Sequence, residues 1–450
     1  MAPRGRLKGS ARDRAVQVLR EALASPSVRV TPRLGEAERG LDPRDRDLLR
    51  ELVLGVLRWK AALDDEIAGT SRVPLEKLAP RLREILEVAL YQIRHLDRIP
   101  EYAAVSEAVA QARASGGEGA SRLVNGVLRG ILLLPPPAVP PIPRTGEGRG
   151  EGPSLARAYS HPLFLVERWL ARFGPEQTRA ILEADNRSSP LDLLANPRRR
   201  DREALARELA AAGVETRPSP IAPNGLTVLR GNPLRTPSFA EGAFLVQDAG
   251  SQALPLLLPP GDLLVDCAAA PGGKSFAAIL SGRARRSLAL DASLPRLVRL
   301  EENRRRLGIP EVVPVVADVG APPLPAGVFG RVLLDAPCSG TGTLRKSPEI
   351  RYRLTPASIE RLAAAQEAWL AAAAKLVAPG GFLLYATCSL EEEENERVVG
   401  RVLARDSRLK LAAIDTGGRE ALRPYVAGGR LRLFPAADTD GFTAHLISRA

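Results

Sequence analysis

The chain has 450 residues, more than one ordinary core accommodates, so two or three domains are expected. Its 45% apolar and 26% charged content excludes a disordered chain, and aromatics at 4% leave the cores to Leu, Val and Ala. Lys and Arg number 64 against 52 Asp and Glu, a net charge of +12 that fits a polyanionic partner and fits an Arg- and Ala-rich composition equally well.

The first residues, MAPRGRLKGSARDRAVQVL, are basic but lack the apolar stretch and small-residue cleavage pattern of a leader peptide. No apolar run approaches the ~18 residues of a membrane span, so no membrane partner is expected. Apolar residues then recur three and four apart in Ala15 to Leu23, Leu48 to Leu57, Leu82 to Ile93, Val105 to Ala112 and Leu123 to Leu133. That period predicts an all-α domain of packed helices over residues 8–133.

At Leu134 the text changes to LPPPAVPPIPRTGEGRGEGPS. Proline removes backbone donors and glycine raises chain entropy, so residues 134–154 read as a linker. Residues 155–240 begin with the helical pattern LARAYSHPLFLVERWLARFG and continue into short strands, LDLLAN and LTVLR, a small α+β module without recognisable chemistry. From 241 to 450, short apolar strands alternate with helices: LLVDC, SLALD, VVPVVAD, RVLLDAP and GFLLYATC. The alternation predicts an α/β, Rossmann-like domain with a mostly parallel sheet. Ligands of such sheets gather beyond the carboxyl ends of the strands, so the residues just after each strand carry the information.

After the first of these strands comes Asp266-Cys267-Ala268-Ala269-Ala270-Pro271-Gly272-Gly273-Lys274-Ser275. Small residues and paired glycines let a backbone approach a ligand, and the helix that follows offers free amides. An ordinary strand-to-helix connection also uses glycine, so the turn alone favours a cofactor site only modestly. Asp291 and Asp318 close the next two strands, where an acid can accept hydrogen bonds from ribose hydroxyls. Each alone reads as a solvated strand-end acid; three acids after successive strands, following a glycine turn, point to a site.

The fourth strand delivers Asp335-Ala336-Pro337-Cys338-Ser339-Gly340-Thr341-Gly342, and the fifth Tyr385-Ala386-Thr387-Cys388-Ser389. A buried structural cysteine is the common case. Here two of the 3 cysteines fall on the edge where a cofactor would lie, which favours chemistry. No cysteine or histidine pair has metal-ligand spacing, so no metal site is expected, and the small odd cysteine count points to a reducing cytoplasm. Ser389 stands three before Glu392, the spacing of a capping box, so Cys388 is expected near a helix start that favours a thiolate. Glu391 to Glu394 read as helix-start stabilisers that oppose it.

These residues resemble the RNA 5-methylcytosine methyltransferases of the NOL/NOP/Sun family. VDCAAAPGGKS is similar to its first motif, LDAPCSGTGTLRKSPEIRYR to its fourth and YATCSLEEEENE to its sixth, with further similar segments from about Leu155 to the end. The N-terminal DRDLLRELVLGVLRWKAALD, LREILEVALYQIRHLDRIP and ASRLVNGVLRG resemble a NusB-type helical RNA-binding domain, a fusion carried by the Sun (Fmu) subgroup of small-subunit methyltransferases. The resemblance implies S-adenosylmethionine as cofactor, bound by Ala268, Ala269, Ala270, Pro271, Gly272, Gly273 and Lys274 with Asp291, Asp318 and Asp335. It implies Cys388 as the nucleophile toward a cytosine and Cys338 as the residue aiding product release. Many members carry cysteine where this chain has Ala268; Cys267, one place earlier, is expected only to pack.

Cysteine suits such chemistry because a thiolate adding to carbon 6 turns the electron-poor ring into an enamine nucleophilic at carbon 5. Asp335 is the candidate acid near ring nitrogen 3. The implied substrate is a cytosine of 16S rRNA, with tRNA or 23S rRNA as the alternative and a non-catalytic RNA-binding or antitermination protein as the reading of another class. Neither DNA nor a membrane is an expected partner, and a monomer is expected. Basic clusters at Arg198 to Arg200, Arg283 to Arg286, Arg304 to Arg306 and Arg345 with Lys346 lie mostly near the motifs. Of these, Arg198 to Arg200, with basic residues of the helical domain, are expected to contact phosphates.

Overall fold

The computed structural model describes residues 9–25, 30–135 and 151–450. They form two compact units: one holds the described residues up to Ser188 together with Leu344–Arg353, the other Ser189–Thr343 with Leu354–Ala450.

The first unit is helical: α1 (Ala11–Ala24), α2 (Val30–Ala37), α3 (Pro43–Thr70), α4 (Pro80–His95), α5 (Glu101–Leu132), α6 (Glu151–Ala158) and α7 (Leu163–Asn186). Local chemistry sets their starts. Asp42 accepts from the Arg44 and Asp45 amides at 2.8 and 2.9 Å, and Pro43 occupies the first helical position, where no amide is needed. The apolar stripes then bury against one another: Leu49, Leu52, Val56 and Leu63 of α3 share a core with Ile85, Leu86, Ala89 and Leu90 of α4. Gly116 and Gly117 interrupt α5 with non-helical dihedrals. Most of the expected linker, residues 136–150, lies outside the described residues, and its last four residues already belong to α6.

Leu344–Arg353 packs in this helical unit although it follows the Cys338 loop in sequence. Arg351 donates to the carbonyls of Arg58 at 2.8 Å and Asp185 at 2.9 Å and to Asn186 Oδ1 at 2.8 Å. Tyr352 donates to the Leu57 carbonyl at 2.6 Å, and Arg58 to that of Arg345 at 3.0 Å. Burial draws the Arg351 pKa down to about 10, so the side chain stays cationic at neutral pH.

The second unit begins with β1 (Leu191–Ala195), α8 (Arg202–Ala211), β2 (Glu215–Pro218), β3 (Gly225–Arg230), α9 (Pro237–Ala240) and β4 (Phe244–Val246), whose strands form an antiparallel sheet in the order β2-β3-β1-β4. The fourth strand lies past residue 240. After α10 (Ala249–Ala253) come β5 (Gly261–Asp266), α11 (Gly273–Leu280), β6 (Ala284–Asp291), α12 (Leu294–Leu307), β7 (Val312–Val316), β8 (Phe329–Asp335), α13 (Pro356–Leu376), β9 (Val377–Thr387), α14 (Glu396–Arg405), β10 (Leu409–Leu411), β11 (Val426–Ala427), β12 (Arg430–Leu433) and β13 (Phe442–Arg449).

The larger sheet runs β11-β12-β13-β9-β8-β5-β6-β7, with β10 paired to β13. Strands β5 to β9 are mutually parallel, while β13 joins β9 antiparallel and carries the remaining strands on that edge. The parallel strands are apolar because both faces are covered: Val332, Leu333, Leu334, Leu383 and Leu384 are all at 0% exposure. From β5 the chain moves to β6 and β7 on one side and returns to β8 and β9 on the other. The strand order thus reverses between β5 and β8, the place where a doubly wound sheet opens a crevice. Asn196 donates to the Gly242 and Leu307 carbonyls at 2.9 and 2.8 Å, tying the smaller sheet to the end of α12.

Candidate active site

Strand register puts the functional candidates on one edge. Asp266, Asp291 and Asp335 are the last residues of β5, β6 and β8; Cys338 follows Asp335 by three residues, and Cys388 is the first residue after β9. Asp335 pairs in register with Ala386, so the two cysteine-bearing loops leave neighbouring strands together.

The glycine turn has a specific backbone. Gly272 sits at φ 101°, the left-handed region, and a Cβ there would lie 2.4 Å from the Phe276 ring. Asp291 braces the turn, its Oδ2 accepting from the Ala270 amide at 3.2 Å and its Oδ1 from the Ser293 amide at 2.9 Å. Arg296 reaches over from α12 to Asp291 Oδ2, 3.2 Å away, and donates to the Ala270 carbonyl. Asp318 lies two residues beyond β7, exposed, and accepts from the Gly320 amide of its own loop at 2.8 Å; the structure does not join it to the turn.

Asp266 is fully buried. Ser275 donates to its Oδ2 at 2.8 Å, and its Oδ1 has no hydrogen-bond partner among the described residues. Burial lifts its pKa to about 7. An enclosed acceptor without a donor, beside a turn in which Gly272 cannot be replaced without a clash, suits a ligand that brings hydroxyl or ammonium donors.

Lys274 Nζ lies 2.5 Å from Asp335 Oδ2, so the residue that ends the turn is bonded to the acid of the cysteine loop. Burial works against the Lys274 ammonium, yet Asp335, with Asp266 and Cys388, more than offsets it and holds the pKa above the ordinary lysine value.

Cys338 Sγ and Cys388 Sγ are 3.2 Å apart, and both residues are partly exposed. The Cys338 pKa is raised well above that of a free thiol, first by its hydrogen bond to Cys388, then by burial. Backbone bonds stitch the two loops: the Gly342 amide donates to the Cys388 carbonyl at 2.9 Å, and the Ala336 amide to that of Ala386 at 2.8 Å. Gly342 has to be glycine, since a Cβ there would stand 2.3 Å from the Gly441 carbonyl oxygen. Cys267, in contrast, is buried, and burial pushes its thiol pKa up.

The capping box expected between Ser389 and Glu392 does not form. The Ser389 hydroxyl accepts from the Glu391 amide at 3.0 Å and donates to Glu394 at 2.5 Å, while Glu392 pairs with Arg397 at the surface. The reason is tertiary: Glu394 is drawn inside by donors from Ser339 and Gln366, and α14 starts only at Glu396. The acidic run gave no sign that Glu391, Glu393 and Glu394 are all buried, the last at 0% exposure. Among the basic clusters, Arg345 is buried, Arg304 and Arg305 are committed to Glu301, Arg286 pairs with Asp262, and Arg198 and Arg200 pair with Glu311 and Glu208.

Among the described residues no His, Cys, Asp and Glu group forms a metal site, and no helix is long and apolar enough to cross a membrane. Residues 253–447 match the family described as 16S rRNA methyltransferase RsmB/F, residues 10–132 the NusB family, and residues 161–235 the ferredoxin-like domain of RsmF/B-like methyltransferases. The chain is 34% identical to the probable ribosomal RNA small subunit methyltransferase B of Synechocystis sp., over 91% of this chain and 92% of that protein. It is 32% identical to the corresponding probable protein of Bacillus subtilis, over 89% of this chain and 90% of that one. The crystal structure of a methyltransferase homolog protein from Pyrococcus horikoshii superposes with a TM-score of 0.57 at 26% identity, covering 67% of this chain and 99% of that one. The chain belongs to the ribosomal RNA small subunit methyltransferase B family and is an RNA methyltransferase with an N-terminal NusB-type helical domain.

Proposed function

We propose that this enzyme methylates carbon 5 of a cytosine in 16S rRNA, in the cytoplasm, through a covalent bond from Cys388 to carbon 6. The observation that carries this reading is the 3.2 Å separation of the Cys388 and Cys338 sulfurs beside Asp335, close enough for both thiols to serve one base.

S-adenosylmethionine, when bound, supplies the methyl group on a sulfonium. It carries an ammonium and a ribose diol, the donors that the unpartnered Asp266 Oδ1 and the strand-end acid Asp291 suit. Ala268 to Lys274 form the turn proposed to hold it, with Asp318 and Asp335 completing the set.

Cys388 as thiolate adds to carbon 6, and Asp335 relays a proton from the Lys274 ammonium, bonded to it at 2.5 Å, to nitrogen 3, neutralising the negative charge that builds there; the proton returns to Lys274 when the Cys388–carbon bond breaks. Carbon 5, now part of an enamine, takes the methyl group; its proton then leaves and the Cys388–carbon bond breaks. Cys338 is the proposed acceptor of that proton. At rest its thiol is held protonated chiefly by the hydrogen bond to Cys388; once the Cys388 sulfur is bonded to the ring that bond is gone, the Cys338 proton passes to water at this partly exposed residue, and the thiolate left behind takes the carbon 5 proton. Reaching the base requires it to leave the RNA stack, and the helical domain is proposed to hold the surrounding RNA.

The test combines two measurements. Purified full-length protein and labelled cofactor should label 16S rRNA and leave tRNA and 23S rRNA unlabelled, with all transfer lost in Cys388→Ala. A bisulfite map of 16S rRNA should lose one 5-methylcytosine when the gene is deleted. Undiminished transfer by Cys388→Ala, or an unchanged map, overturns the proposal.

A further inference from the structure

We propose that Glu394 is a positioning residue that holds the Cys338 and Cys388 loops at the separation needed to act on one base. The family match gives it no role, and the sequence reading makes it only a helix-start stabiliser. Its hydrogen bonds go to Ser339, Gln366 and Ser389 and not to a sulfur, so it acts through the loops.

The Glu394 carboxylate is fully enclosed, at 0% exposure. One oxygen accepts from the Ser339 amide at 2.8 Å and from Gln366 Nε2 at 3.0 Å. The other accepts from the Ser389 hydroxyl at 2.5 Å and from the Ser339 hydroxyl. Ser339 directly follows Cys338 and Ser389 directly follows Cys388, so one carboxylate is bonded to the neighbour of each thiol. Gln366, on α13, also donates to the carbonyl of Pro337 at 2.9 Å, the residue before Cys338. The Glu394 backbone is fixed in turn by the Tyr385 hydroxyl, which donates to its carbonyl at 2.6 Å from within β9.

A buried carboxylate requires its donors. Charge-assisted hydrogen bonds are the strong kind, and withdrawing any of them leaves an acid under-solvated in the interior. Movement of either serine is therefore opposed, and since the serines belong to different loops, the two sulfurs are held to one spacing. The Ser339 and Ser389 hydroxyl oxygens also lie 3.1 Å apart, closing a ring of three side chains around the contact. The backbone stitches at Gly342 and Ala336 align the loops along the strand edge; the carboxylate fixes them across it.

The catalytic consequence rests on the two-cysteine reading above, whereas the geometric claim does not, and the test separates them. A trivalent phenylarsenical bridges two thiols only when they are close together, forming two As–S bonds and releasing the oxide oxygen as water. Its capture by the full-length protein, read by mass spectrometry as one arsenical per chain on Cys338 and Cys388, reports sulfur proximity without any methyl transfer. Buried Cys267 serves as the internal control.

Glu394→Ala is expected to slow capture by about ten-fold and to lower kcat by roughly 100-fold, the scale set by misplacement of reacting groups by about an ångström. Its KM for the methyl donor should stay within about three-fold of wild type. Glu394→Gln keeps the shape and one acceptor oxygen, and the serine hydroxyls can turn to accept from its amide, so it should restore most of both losses. Should Glu394→Ala fail to fold, Ser389→Ala removes one strut and leaves the acid in place, and it should slow capture by about three-fold. Wild-type capture rates in folded Glu394→Ala or Ser389→Ala overturn the clamp while leaving the two-cysteine chemistry standing. Slowed capture together with a wild-type protein that methylates no RNA overturns the chemistry while leaving the clamp.

Discussion

Replacing Asp335 by Asn keeps the side chain's shape and removes one charge from the pair it forms with Lys274 at 2.5 Å. Two unit charges at that distance attract by about 7 kcal/mol at an effective dielectric of about 20. The Asp335 side chain retains 30% exposure and that of Lys274 11%, so solvent screens part of the attraction. Loss of the pair leaves the ammonium buried with its main counter-charge gone, and the net cost should be about 2–4 kcal/mol. For a unit of this size that corresponds to a fall in Tm of roughly 4–16 °C. Losing the acid at the base should in addition lower kcat by about 100- to 1000-fold, as removal of a preorganised charge-stabilising group does. Thermal unfolding of the full-length protein reads the first effect, and initial rates with labelled cofactor, taken well below the variant's Tm, read the second. A variant that unfolds at the wild-type temperature refutes the ion-pair argument, and one with wild-type kcat refutes the role at nitrogen 3.

Gly342→Ala places a Cβ 2.3 Å from the Gly441 carbonyl, so backbone must move; about 1–3 kcal/mol of stability should be lost, measured as a lower Tm, together with slowed methyl transfer. Arg351→Ala strips the donor from the Arg58 and Asp185 carbonyls and Asn186 Oδ1 inside the helical unit. It should cost about 3–5 kcal/mol in urea unfolding, and an unchanged midpoint contradicts the anchor. Burial holds His445 neutral, its pKa lowered from 6.5 to about 4. Its contribution is complete above the unfolded value and is lost as pH falls through 6.5 toward 4, because only the unfolded chain takes up the proton in that window. By pH 5 about 2 kcal/mol should be gone, and His445→Gln should show that much less acid destabilisation than wild type between pH 7 and 5; parallel curves for the two proteins contradict it.

Periodicity was enough to read the helical stripes of Leu49 to Leu57 and Ile85 to Leu90, because burial against a neighbouring helix follows directly from spacing along one's own. The strand-end positions of Asp266, Asp291, Asp335, Cys338 and Cys388 were legible for the same reason: a buried parallel strand is a short apolar run with a sharp end. Contacts between distant segments were not. Nothing in SLEEEENE distinguishes Glu394 from three acids beside it, since the donors that draw it inside lie at Ser339 and Gln366. The capping-box spacing at Ser389 is a local rule that lost to this tertiary bond. Arg345 reads with Lys346 as a basic cluster, yet it is buried, and the run from Leu344 to Arg353 folds among helix carbonyls that charge counting cannot locate. The antiparallel edge was not legible because β10, β11 and β12 run only 3, 2 and 4 residues, too short for an apolar pattern to show.

The bond between sulfur and base is open to direct observation. Cys338→Ala, incubated with 16S rRNA and S-adenosylmethionine, digested with nuclease and protease and analysed by mass, should carry a methylated cytidine on the peptide containing Cys388, because addition proceeds while elimination stalls. Recovery of that peptide unmodified under turnover conditions, or a nucleotide attached at any other residue, would contradict the mechanism.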